Sequence, residues 1–65
     1  MNIMDSITTL IVEDEPMLAE ILVDNIKQFP QFDVIGIADK LESARKQLRL
    51  YQPQLILLDN FLPDG

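Results

Sequence analysis

Two apolar runs in this chain end in acids. Leu10-Ile11-Val12 gives way to Glu13-Asp14-Glu15-Pro16, and Leu55-Ile56-Leu57-Leu58 gives way to Asp59, followed by Asn60-Phe61-Leu62-Pro63-Asp64-Gly65. Carboxylates delivered together in this way can do two kinds of chemistry. Glu13 and Asp14 offer hard oxygens of the type that hold Mg2+ in an octahedron completed by water. Asp59, single at the end of its run, can act as a nucleophile toward a phosphoryl group and form an acyl phosphate. A divalent ion screens the charges that otherwise keep carboxylate and phosphoryl oxygens apart. Without one, a trio of acids within a few ångströms needs a proton at raised pKa.

That chemistry depends on elements that bring the two acidic ends together. Ile7 to Val12 is rich in β-branched residues and too short for a helix, so it reads as a buried strand. Pro16 suits the first turn of a helix, with Asp14 or Glu15 as N-cap and Leu18, Ile21, Leu22, Ile26 and Phe29 as the apolar face. Pro30 stops that helix at Phe29. Phe32 to Ala38 reads as a second strand, carrying Asp33 and Gly36. Asp39-Lys40-Leu41-Glu42 has the spacing of a capping box, opening a helix with Leu41, Ala44, Leu48 and Tyr51 inward and Pro53 beyond its end. Gln54 to Leu58 is the third strand.

The order β-α-β-α-β with short connections predicts an α/β fold with a parallel sheet. Right-handed crossovers on either side of a central first strand give order 2-1-3, with the helices on opposite faces. In that order the carboxyl ends of strands one and three flank the crevice where ligands bind, and Glu13, Asp14 and Asp59 converge there. Strand two suits the outer position. Strand three, with its four consecutive aliphatics, is expected to be buried on both faces with neighbours on both sides.

Composition narrows the functions. The chain has 65 residues, 48% of them apolar, which fits one small globular unit rather than a disordered tail. It has no cysteine and no histidine, so thiolate or imidazole metal sites and disulfides are excluded. The net charge of −6 opposes binding to nucleic acid phosphates. No run approaches the ~20 apolar residues of a membrane span, and Met1 to Ser6 lacks a signal-peptide pattern, so a cytoplasmic location is the expectation. Lys40, Arg45, Lys46 and Arg49 read as a solvated helix face, with Glu42 and Lys46 paired along it.

The segments Leu10-Ile11-Val12-Glu13-Asp14-Glu15-Pro16, Leu55-Ile56-Leu57-Leu58-Asp59 and Leu62-Pro63-Asp64-Gly65 resemble the receiver domain of bacterial two-component response regulators. The resemblance covers essentially the whole chain. Met17-Leu18-Ala19-Glu20 and Asp59 through Gly65 are further similar to regulators paired with citrate- and C4-dicarboxylate-sensing kinases. The resemblance implies a flavodoxin-like, doubly wound parallel sheet, of which residues 1–65 are expected to be the N-terminal β-α-β-α-β part of a truncated receiver. It implies Asp59 as phosphoacceptor, and Glu13, Asp14, Asp59 and the backbone carbonyl of Phe61 as Mg2+ ligands. Glu13 stands where aspartate is commoner. A sensor histidine kinase is the implied partner, DNA is reached only through an output domain outside the chain, and a dimer is open to the full-length protein. No membrane partner is implied. The module would assist its own phosphotransfer without being an enzyme.

Simpler readings compete. Glu13-Asp14-Glu15 alone would be a solvated acidic turn at a helix start, and Asp59 alone a turn cap. A phosphatase of the haloacid-dehalogenase type also forms an aspartyl phosphate, but its nucleophile resembles Asp-x-Asp, and Phe61 occupies the position of the second acid. A non-catalytic interaction fragment, pairing its third strand with another chain, is the third reading.

Overall fold

A computed structural model describes residues 6–58 together with Asp64. Five elements follow in the expected order: β1 (Ile7–Val12), α1 (Pro16–Ile26), β2 (Phe32–Ala38), α2 (Leu41–Tyr51) and β3 (Leu55–Leu58). The strands form one sheet in the order β2-β1-β3, and both pairings are parallel. β1 is central, and Thr9 to Val12 along it are fully buried. Asp59 to Pro63 and Gly65 lie outside the described residues, as do Met1 to Asp5.

Alternation along β1 divides the core between two layers. Leu10 and Val12 pack with Ala38, Ala44, Leu41 and Leu48 beneath α2. On the opposite face, Ile26, Phe29, Phe32, Leu55 and Leu57 line an apolar hollow of about 220 Å³. Phe29 and Phe32 meet there edge to face, with ring centroids 6.5 Å apart. The register of β1 on β2 skips Ile35: Thr9 pairs with Val34, but Leu10 pairs with Gly36. Small residues therefore lie under α2, and the Gln47 side chain reaches across to donate from Nε2 to the Ile37 carbonyl at 3.0 Å.

The strands' amino ends are aligned by a polar clasp. Gln54 N–H donates to the Thr8 carbonyl at 2.9 Å and to Thr8 Oγ1 at 3.0 Å, while Thr8 N–H donates to Gln54 Oε1 at 3.1 Å. Thr9, buried in mid-strand, satisfies its hydroxyl by donating to the Ile7 carbonyl at 3.1 Å.

Several details differ from the sequence reading. The inward face of α1 runs through Ala19, Leu22, Val23 and Ile26, leaving Met17, Leu18 and Ile21 largely exposed. That series has the same helical period as the expected one, and the small side chain of Ala19 allows close approach to the sheet. α1 stops at Ile26 rather than Phe29. The backbone tightens ahead of Pro30, with Phe29 N–H donating to the Ile26 carbonyl at 2.8 Å. Ile56 and Leu58 on β3 are 41% and 57% exposed, against an expectation of burial on both faces. They register with Leu10 and Val12 on the α2 side, but α2 packs over β1 and β2 and does not extend across them.

Candidate functional site

The carboxyl ends of β1 and β3 lie side by side. Val12 registers with Leu58, so the residues bonded to Glu13 and to Asp59 are neighbours across the sheet. Glu13 prolongs the ladder on its other side, donating its N–H to the Ala38 carbonyl at 2.8 Å. This residue is 7% exposed, unusual for a carboxylate. The chain turns sharply after it, and Glu13 Oε2 accepts the N–H of Glu15 at 3.2 Å. Glu15 is the N-cap of α1 by backbone geometry and makes no side-chain cap, while Pro16 occupies the first turn as expected. Asp14, between them, is exposed.

A buried and an exposed carboxylate thus sit together at the end of the central strand. As donors they fit a hard divalent cation such as Mg2+. A carboxylate has about four lone-pair sites, so an N–H bond at Oε2 of Glu13 is compatible with coordination. Among the described residues no group of three metal-binding side chains forms. The expected third carboxylate, Asp59, and the Phe61 carbonyl lie outside the described residues.

Asp64, beyond β3, has a definite partner in the structure. Asp64 bonds the start of α2, where Leu41 N–H donates to Oδ1 at 2.7 Å and Glu42 N–H donates to Oδ2 at 3.2 Å. The N–H of Leu41 is the main reason the Asp64 carboxyl is held below its ordinary range, with further help from Glu42 N–H and from the nearby Lys40 charge. The capping box expected over Asp39 to Glu42 does not form. Lys40 is the N-cap and gives no side-chain bond, and Asp39 Oδ1 instead accepts the Ser43 hydroxyl at 3.0 Å. The donors that Asp39 was expected to serve are taken by a residue more than twenty positions away.

The basic residues of α2 form a solvated face. Lys46 lies 3.9 Å from Glu42 and Lys40 lies 4.0 Å from it, all well exposed. No helix among the described residues is long and apolar enough to cross a membrane.

No protein-family model and no solved structure matches the chain. Curated relatives do. The transcriptional regulatory protein DpiA of Escherichia coli is 49% identical over 59 residues, covering 91% of this chain and 26% of that protein. The transcriptional regulatory protein MalR of Bacillus subtilis is 40% identical over 57 residues, covering 88% of this chain and 24% of that protein. A protein-glutamate methylesterase/protein-glutamine glutaminase of Methanosarcina mazei is 37% identical over 57 residues, or 88% of this chain and 16% of that protein. The chain spans about a quarter of the length of the two transcriptional regulators. Similarity to part of these transcriptional regulatory proteins is sustained along nearly the whole chain, and the parallel sheet ordered β2-β1-β3 fits part of a response-regulator receiver fold.

Proposed function

We propose that residues 1–65 are the N-terminal part of a receiver domain in a transcriptional response regulator, and that a partner sensor histidine kinase phosphorylates it on Asp59. The observation that carries this reading is the register of Val12 with Leu58, which sets the strand ends preceding Glu13 and Asp59 beside one another. The names of the two regulatory relatives support a role in transcription, exerted through a DNA-binding output domain outside this chain. The similarity of Asp59 through Gly65 to citrate- and C4-dicarboxylate-linked regulators supports a kinase of that sensing class.

In the transfer, a carboxylate oxygen of Asp59 attacks the phosphorus of a phosphohistidine. An O–P bond forms, the P–N bond breaks, and the imidazole nitrogen keeps the bonding pair. Glu13, Asp14, Asp59 and the Phe61 carbonyl would hold Mg2+, which supplies positive charge against the phosphoryl oxygens when bound. The Glu13 bond to Glu15 N–H fixes that carboxylate before any ion arrives, limiting what must be ordered on binding. The domain accepts one phosphoryl group and passes on a conformational signal; it does not turn over a substrate.

Incubating the intact protein with a small phosphodonor and Mg2+ should add a single alkali-labile phosphoryl group, seen by intact mass. Asp59→Ala should remove it. An adduct that survives this substitution, or none on the wild type, refutes the assignment.

A further inference from the structure

Two helix faces carry charges that the fold itself does not use. On α1, Glu20 and Asp24 stand four residues apart beside Met17 and Ile21, which are 69% and 50% exposed. On α2, Arg45 and Arg49 also stand four residues apart, beside Leu50, which is 74% exposed. All four charged residues are exposed, and none makes an ion pair or a side-chain hydrogen bond with a described residue; the α2 ion pairs run from Lys40 and Lys46 to Glu42. The two helices lie on opposite faces of the sheet, so these surfaces cannot meet within one copy.

Their patterns match. Residues four apart are spaced about 6 Å along a helix, so both charge pairs have the same span. Laid antiparallel, Arg49 comes level with Glu20 and Arg45 with Asp24. The same alignment brings Glu42 level with Lys27 and sets Leu50 between Met17 and Ile21. The helical period decides the direction. Viewed down its own axis, each helix has its two charges on one flank of the exposed face and its apolar residues on the other, and the flanks have the same hand in both. Antiparallel helices bring like flanks together, base against acid and apolar against apolar. Parallel helices would set the arginines against Met17 and Ile21. The net charge of −6 repels copies at a distance, whereas opposed pairs act at contact, where the energy between unit charges is greatest.

We propose that the exposed face of α2 is a docking surface for a second copy of this chain, receiving α1 of that copy antiparallel, with Arg49 on Glu20 and Arg45 on Asp24. Each contact leaves one α1 face and one α2 face free, so copies add head to tail instead of closing at a dimer. One helix pair is a small contact, so the association is weak and needs high protein concentration.

Sedimentation velocity of the intact protein across concentration tests this, in about 0.15 M salt, where long-range repulsion is screened beyond about 8 Å. The wild-type sedimentation coefficient should rise with concentration. The charge reversals E20R/D24R and R45E/R49E should each weaken self-association roughly tenfold or more, because like charges then face each other. An equal mixture of the two variants restores opposite charges at the contact and should associate again. Both variants remain net acidic, so general attraction between them does not explain the restoration. Association that survives either reversal overturns the proposal, as does a mixture that stays monomeric. A wild type that is monomeric at every concentration overturns it too and leaves these faces to solvent or to a different partner. If a reversed variant loses the wild-type thermal transition, E20Q, R49Q and their double variant decide. A double variant that loses no more association than either single one supports the pairing, and additive losses or no loss overturn it.

Discussion

Replacing Gly36 by alanine tests how β2 and α2 are fitted to each other. Gly36 has no positive φ, so its backbone accepts an L side chain, and the neighbours decide the outcome. A methyl group there would collide with Gln47 Oε1 and lie 3.3 Å from Leu10 Cδ1. The Gln47 amide is the end of a flexible side chain and can swing away, but it then loses its bond to the Ile37 carbonyl. That loss costs about 1 kcal/mol, and the crowding at Leu10 adds a few tenths. Against this, alanine restricts the unfolded chain and returns about 0.4–1 kcal/mol. The net effect in the wild type should therefore be a destabilisation between about 0 and 1 kcal/mol. In a Gln47→Ala background the obstruction and the bond are already gone, and the same substitution should become neutral or stabilising. Urea unfolding of the four proteins of this cycle gives the coupling, expected at about 1 kcal/mol. If G36A has the same effect in both backgrounds, the fit does not depend on Gln47 and the reasoning fails.

Two further outcomes follow from local geometry. Gln52, which ends α2, has φ 47°, in the left-handed region where a side chain is strained, so Gln52→Gly should stabilise the protein by about 0.5–1 kcal/mol, read from the urea midpoint. The Asp64 carboxyl is held below its ordinary 3.8, so its folded state binds the proton less readily than its unfolded state. Its contribution is complete above the unfolded value and is lost as pH falls through the lower, folded one. The Leu41 and Glu42 amide signals should report this as a titration with a midpoint below 3.8, with Lys40 and Glu42 as the neighbouring charges; a midpoint at or above 3.8 contradicts the contact.

Strands and topology were legible because they rest on short-range signals. The β-branched run Ile7 to Val12 and the segment Phe32 to Ala38 have the boundaries read from the sequence, and Pro16 marks the start of α1. The parallel order 2-1-3 followed from crossover handedness and appears as expected. The face of α1 was not legible. Leu18 and Ile21 are more apolar than Ala19, but the sheet selects the series that permits close approach, a choice made by packing rather than hydrophobicity. Local spacing also suggested an Asp39 cap for α2. Asp64 takes that place because tertiary folding carries a carboxylate to the same donors, and no periodicity encodes a contact so distant in sequence. The acidic pair at the end of β1 was legible as a motif. That Glu13 is buried while Asp14 is exposed, and that Glu13 bonds Glu15 N–H, required coordinates.

The residue skipped in the β1–β2 register works as a parity change within a single strand. A regular strand would turn 32, 34, 36 and 38 toward the same helix. With Ile35 interposed, the even positions serve first one layer and then the other: bulky Phe32 and Val34 go with Thr9 to the α1 side, and small Gly36 and Ala38 go with Leu10 and Val12 to the α2 side. One unpaired residue thereby sorts side chains by size between two helices, and α2 can settle low enough for a glutamine to reach the strand beneath it.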